Sequence, residues 1–210
     1  MTPPSAFPPS RLSAFPPDRP SNFASLRPCV LLDRDGTLVI DPGYLRDPCR
    51  LRLVPGAGAA VARLAAAGYA IVLVTNQAGI SRGRLGWDDY FRVSAAMEAL
   101  LAEDRARVEA IYLCPHAPEL DGPCPCRKPA LGLHQQAERD LALDLRRSWF
   151  VGDRLSDLLP ALALGGRGLL VRTGHGADEA GAAAAAGFES VPDVRAAAER
   201  ILAAGSAAGG

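Results

Sequence analysis

Four short stretches of this chain hold residue types able to do chemistry. Asp33-Arg34-Asp35-Gly36-Thr37 places two carboxylates two residues apart, directly after the apolar run Cys29-Val30-Leu31-Leu32. Two acids at that spacing repel unless a cation or a proton sits between them, and the glycine permits a sharp turn. The same residues also suit an Asx-type turn carrying surface charge. Thr75-Asn76-Gln77 ends the run Ala70-Ile71-Val72-Leu73-Val74. A hydroxyl and exposed backbone amides at a strand end can hold phosphate oxygens, although Thr-Asn also serves as a helix cap. Arg127-Lys128-Pro129 brings a fixed cation that could neutralise a transferring phosphoryl group. Gly152-Asp153 follows Ser148-Trp149-Phe150-Val151, with Asp157 four residues on. Mg²⁺ takes carboxylates, carbonyls and waters in an octahedral array, which suits Asp153 at a strand tip. Asp157 would lie about one helical turn further along, facing the same edge.

A fifth stretch has metal-ligand arithmetic. Cys114-Pro115-His116 and Cys124-Pro125-Cys126 are seven residues apart and supply three thiols and one imidazole. Four soft or borderline ligands suit tetrahedral Zn²⁺, and a metal with four protein ligands has no open position. The site is therefore expected to be structural, shaping a rim next to Arg127 and Lys128. The plainer reading is three buried thiols and a capping histidine. Cys29 and Cys49 fall outside the cluster and read as core or surface thiols. An odd count of five cysteines argues against a disulfide framework, and no basic-then-apolar leader is visible, so a cytoplasmic protein is expected.

These groups need elements to position them. The pattern alternates strand-like runs (29–32, 70–74, 110–113, 148–151, 168–171) with helical spacing over 57–67, 88–104, about 130–143 and about 156–164, then 178–186 and 193–203. Alternation of this kind implies parallel pairing and an α/β three-layer sandwich with a mainly parallel, Rossmann-like sheet. Ligands of such sheets sit beyond the carboxyl ends of the strands, which is where the polar stretches fall. The gaps 37–70 and 76–127 have room for small elements and the Cys/His loop, but for no large cap domain. Residues 1–28 hold eight prolines and the repeat Ser5-Ala6-Phe7-Pro8-Pro9, Ser13-Ala14-Phe15-Pro16-Pro17, and read as a disordered tail. The folded domain is expected over 29–204, with a second flexible tail over 205–210.

Composition sets outer bounds. The chain has 210 residues, enough for one domain of ordinary size. Lys+Arg and Asp+Glu are 23 each, so there is no long-range pull toward nucleic acid or anionic lipid, and any phosphate site must be local. No apolar run approaches the roughly 20 residues that span a bilayer. No long exposed apolar stripe forces association, so a monomer is expected.

The order of the four stretches, each after its own strand, resembles the haloacid-dehalogenase-like phosphohydrolases over about residues 29–172. That resemblance implies that Asp33 attacks phosphorus to form an aspartyl-phosphate, and that Asp35 protonates the leaving oxygen and then activates water. It implies that Thr75 and Lys128 hold the phosphoryl oxygens, and that Asp33, Asp153 and the backbone carbonyl of Asp35 bind Mg²⁺. A carboxylate is a competent nucleophile once its charge is screened, and Mg²⁺ with Lys128 would do this. Within that group, Leu32–Thr37, Asp41-Pro42-Gly43-Tyr44, Val74–Gly83 and Cys126–Pro129 look like the D-glycero-D-manno-heptose 1,7-bisphosphate 7-phosphatases. Histidinol-phosphate phosphatases are similar, including the four zinc ligands. One departure is Arg154 where Gly-Asp-Lys is common; arginine keeps the charge but is longer and planar. The substrate implied is a small phosphorylated compound, a sugar bisphosphate before histidinol phosphate. Asn76, Arg82, Arg84 and Arg127 are the expected contacts, the arginines to a second phosphate. An inactive scaffold that binds a partner through its zinc loop is the reading from another class.

Overall fold

A computed structural model of the chain describes residues 26–40 and 43–207. The tail expected over 1–28 thus lies outside the described residues as far as 25, as do Asp41, Pro42 and the end of the chain from 208.

Six strands form one parallel sheet: β1 (Cys29–Leu32), β2 (Ala70–Asn76), β3 (Ala110–Cys114), β4 (Trp149–Gly152), β5 (Arg167–Val171) and β6 (Glu189–Val191), in the order β3-β2-β1-β4-β5-β6. Seven helices connect and cover them: α1 (Ala57–Ala66), α2 (Trp87–Glu103), α3 (Pro118–Asp121), α4 (Gly132–Leu141), α5 (Leu155–Leu164), α6 (Gly176–Ala185) and α7 (Val194–Ala207). The central strands β1 and β4 and the body of β2 are apolar and buried, as strands covered on both faces are. Side chains alternate between two cores. Val30 and Leu32, with Ile71, Leu73 and Val151, meet α1, α2 and α7. Leu31, with Val72, Val74, Phe150 and Leu170, meets α4, α5 and α6.

The expected α/β three-layer class is what the chain adopts, with small differences at its margins. β6 is three residues, Glu-Ser-Val, too short and too polar to stand out as an apolar run. Leu26–Pro28, assigned to the tail on composition, are already part of the fold: Arg27 bridges Leu143 in the backbone and pairs through its side chain with Glu109. At the other end α7 runs to Ala207, so the helix continues into the segment expected to be a tail.

Strand order reverses between β1 and β4, and the crevice of an open α/β sheet lies at such a switch point. Asp33 follows β1 and Asp153 follows β4, so the two acids flank that point. Beyond β1 the backbone turns at once: Gly36 N–H donates to Val39 at 2.7 Å. Residues 38–40 then run antiparallel to 52–54, held by Ile40 N–H to Arg52 and Val54 N–H to Leu38 at 2.9 and 2.8 Å. This small flap, a loop from β2 to α2, and the Cys/His segment are what rise above the sheet edge.

Candidate active site

Asp33, Lys128, Asp153 and Asp157 converge at the switch point. Lys128 Nζ lies 2.7 Å from Asp33 Oδ1 and 2.8 Å from Asp157 Oδ1, and it also donates to the Val74 carbonyl. Carboxylate oxygens of Asp33, Asp153 and Asp157 all lie within 4.8 Å of one another. All four residues are buried. Asp33 and Asp157 therefore share one lysine, Asp153 accepts only the His175 N–H, and burial leaves these charges poorly screened.

The electrostatics follow. Burial pushes the Asp33 carboxyl up; Lys128 opposes this, but Asp157, Asp153 and Asp35 add to it. Asp153 is pushed up to about 6 by burial, against the His175 N–H donated to Oδ2 at 2.8 Å. Burial alone would discharge Lys128, yet Asp157 and Asp33 outweigh it and hold the ammonium above its ordinary range. The lysine stays charged, while the acids are under-compensated and call for a further cation. Asp153 Oδ1 is buried without a hydrogen-bond partner, as expected of a metal ligand. Two glycines make room for this carboxylate. A Cβ on Gly36 or on Gly174 would stand 2.2 Å from Asp153 Oδ2, and Gly36 also has φ +85°. The donor set is all oxygen, which fits Mg²⁺.

Asp35 is placed differently. Its carboxylate is outside the three-acid cluster and accepts from Arg34 Nε and Nη2 at 3.0 and 2.8 Å, and from Gln77 Nε2 at 2.6 Å. Arg34 is buried, with its guanidinium 5.4 Å from the centre of the Tyr90 ring on α2. Gln77 also donates to Thr75 Oγ1 at 2.9 Å. With that lone pair taken, the Thr75 hydroxyl can direct its own proton to an incoming oxygen.

Asn76 holds the lysine segment: Oδ1 accepts from Lys128 N–H at 3.1 Å and Nδ2 donates to the Lys128 carbonyl at 3.2 Å. Above these groups lies a cavity of about 490 Å³, of a size suited to a small ligand. Its wall includes Asp33, Asp35, Thr75, Arg82, Arg127 and Arg154. Arg84 is absent from that wall among the described residues; its backbone N–H closes a turn onto Gly79 at 2.8 Å. Arg34, Gln77 and Gly174 are functional neighbours to which the sequence reading gave no role, and Gly36 was read only as permitting a turn. Only the position of Arg34 between the acids hinted at its part.

The Cys/His cluster forms where its spacing placed it. Cys114 ends β3, and Cys124 and Cys126 precede Lys128. Sγ of Cys114 lies 3.6 Å from that of Cys124 and 3.1 Å from that of Cys126, and His116 Nδ1 lies 3.1 Å from Cys126 Sγ. Ligand atoms of a zinc tetrahedron with Zn–S of about 2.3 Å stand roughly 3.8 Å apart, so the four donors need only a slight expansion to admit the ion. Arg127 Nη1 donates to the His116 carbonyl at 3.2 Å, tying the cluster to the cavity wall. Cys29 is buried beside Ser148, and Cys49 is exposed, both apart from the cluster.

A family model described as HAD-hydrolase-like matches residues 125–197, and one described as polynucleotide kinase 3 phosphatase matches 53–159. The D-glycero-beta-D-manno-heptose-1,7-bisphosphate 7-phosphatase of Haemophilus ducreyi is 45% identical over 151 residues, 69% of this chain and 83% of that protein. The chain belongs to this family, within the HAD-like hydrolases. The Vibrio cholerae heptose-bisphosphate phosphatase is 37% identical over 175 residues, 80% of this chain and 94% of that one. A solved heptose-bisphosphate phosphatase from B. bronchiseptica, complexed with magnesium and phosphate, superposes with a TM-score of 0.77 at 34% identity, covering 83% of this chain and 98% of its own. The family expected from the four stretches is thus the family found. Among the described residues no helix is long and apolar enough to cross a membrane.

Proposed function

We propose that the chain is a Mg²⁺-dependent phosphatase that removes the 7-phosphate of D-glycero-D-manno-heptose 1,7-bisphosphate through an aspartyl-phosphate. The observation that carries this is the approach of Asp33, Lys128, Asp153 and Asp157 at one strand edge, in a chain whose relatives carry that activity in their names.

Asp33, Asp153 and the Asp35 carbonyl, with Asp157 beside them, would hold Mg²⁺, which when bound would supply charge stabilisation to the phosphoryl group. The rest is the work of side chains. Asp33 is the nucleophile: a carboxylate oxygen bonds to phosphorus as the bond to the sugar oxygen breaks. Lys128 and the Thr75 hydroxyl hold the phosphoryl oxygens, and Asn76 fixes the backbone of Lys128. Asp35 delivers a proton to the departing sugar oxygen. It then takes a proton from the water that attacks phosphorus, releasing phosphate and restoring Asp33. Arg34 and Gln77 keep Asp35 in place between these steps. The Cys114, His116, Cys124 and Cys126 cluster holds Zn²⁺ as a structural ion, since all four positions are filled by protein.

The far end of the substrate meets Arg127 and Arg154, which line the cavity without an ion-pair partner among the described residues. A second phosphate matches these cations, whereas the amine of histidinol phosphate would be repelled. The test is hydrolysis of both compounds with Mg²⁺ by the wild-type chain and Asp33→Asn. A higher kcat/KM on the heptose bisphosphate, lost in the variant, is expected. Preference for histidinol phosphate would overturn the substrate, and retained activity in the variant would overturn the covalent route.

A further inference from the structure

We propose that Glu119 is a positioning residue for the substrate pocket, acting through Arg82 on Tyr44. The proposal rests on reading the chain as a sugar-bisphosphate phosphatase. Tyr44 stands on the flap, is 49% exposed and lines the cavity. Its ring lies against the backbone of the loop after β2. A Cβ on Gly79 would come within 2.5 Å of Tyr44 Cδ1 and 2.3 Å of Leu85 Cδ2, so only glycine lets the ring lie so close. The Tyr44 hydroxyl accepts from Arg82 Nη1 at 3.1 Å, and Arg82 Nε donates to Glu119 Oε1 at 2.5 Å. Glu119 belongs to α3, the single helical turn between His116 and Cys124.

Three separate segments are therefore joined by one chain of contacts: the flap through Tyr44, the loop after β2 through Arg82, and the Cys/His segment through Glu119. A further bond braces the last pair: Ser81 N–H donates to the Pro115 carbonyl at 3.3 Å. The start of α3 is fixed in turn by Ala117 N–H, which donates to the Asp121 carboxylate at 2.7 Å.

An arginine on the rim of an anion pocket reads first as a phosphate ligand, and that was the expectation for Arg82. Its charge here is already met by Glu119, and its Nε and Nη1 donate to two neighbouring segments. It acts as a cross-link that keeps the Tyr44 wall upright, and Glu119 decides whether it does so. The two roles predict opposite effects of removing the acid. A cross-link loosens, so substrate binds less well. A ligand is set free, so an anion binds better.

The experiment is steady-state kinetics of Glu119→Gln, Arg82→Met and the double variant, with the heptose bisphosphate and with p-nitrophenyl phosphate, which has neither sugar nor second phosphate. Glu119 is exposed, so an unchanged melting temperature serves as the folding control. Exposed ion pairs are modest, so Glu119→Gln should raise KM for the bisphosphate about threefold, with kcat within twofold of wild type. Arg82→Met should do the same, the double variant should be no worse than Arg82→Met, and KM for p-nitrophenyl phosphate should not move. A fall or no change in KM for the bisphosphate in Glu119→Gln, or additive effects in the double variant, would overturn the proposal alone. Wild-type turnover of p-nitrophenyl phosphate without turnover of the bisphosphate would overturn the substrate reading, and this proposal with it.

Discussion

Replacing Asp153 by Asn takes one charge out of a buried cluster of three carboxylates, of which Asp33 and Asp157 pair with Lys128 and Asp153 does not. Folding raises the pKa of Asp153 from 3.8 to about 6. An acid raised in this way holds its proton more tightly folded than unfolded. Its contribution to stability is therefore lost as pH climbs from about 4 through 6, and above that window the ionised carboxylate is a standing cost. At about 1.4 kcal/mol per pH unit, the gap between 3.8 and about 6 amounts to about 3 kcal/mol. The amide of Asn is uncharged and can still accept the His175 N–H at its oxygen. In magnesium-free buffer at pH 8, Asp153→Asn should therefore be more stable than wild type by up to about 3 kcal/mol. That corresponds to roughly 6–12 °C in Tm for a domain of this size. Its advantage should vanish by pH 4, and its phosphatase activity should be lost. The assay is urea denaturation across pH 4–8 after exhaustive dialysis, because a chelator would also strip a thiolate-bound ion. The readout is the difference between the two proteins, since other buried groups titrate in the same range. Adding Mg²⁺ should reverse the order by stabilising wild type only. A variant less stable than wild type at pH 8 without Mg²⁺, or a difference that does not change with pH, would refute the charge argument.

His134, on α4 beneath the same site, gives the opposite pH dependence. Burial, helped by Lys128, lowers its pKa to about 3, so stability is lost as pH falls below 6.5; at pH 5 the loss should be about 2 kcal/mol, and His134→Leu should flatten this acid limb in a denaturation series. Gly36→Ala adds a Cβ 2.2 Å from Asp153 Oδ2 at a positive φ, so it should cost about 2–4 kcal/mol by denaturation and most of the activity; a near-neutral result would mean that the turn relaxes freely. Elemental analysis should find about one zinc per wild-type chain, and Cys124→Ser should lose it and melt earlier.

What could be read from the sequence depended on whether a group acts beside its own strand or across to another. Asp33, Thr75 and Asp153 each follow an apolar run, so their placement was fixed by the carboxyl ends of β1, β2 and β4. The Cys/His cluster was legible because its four residues lie within 13 positions and two of them sit either side of a single proline in each half. Gln77 was opaque because Asp35 lies 42 positions away, and the burial of Arg34 against Tyr90 is likewise a contact that no local spacing reports. Arg82 was read as an anion contact because its partner, Glu119, lies 37 positions away in a loop whose path the sequence does not show. β6 escaped notice because its three residues carry too little apolar surface to mark a strand.

The short turn α3 hangs between His116 and Cys124, while Cys126 stands only two positions before Lys128. The two sides of the thiol cluster therefore tolerate change very differently. On the Lys128 side the connection is a rigid splint, where one inserted residue would displace the ammonium from Asp33. On the other side the stretch 117–123 is a pendant whose two ends are pinned, so changing it, Glu119 included, should alter the pocket wall while Lys128 and the acids stay put. Evolution of new sugar-phosphate preferences in this scaffold has an obvious interchangeable part, and it is the pendant.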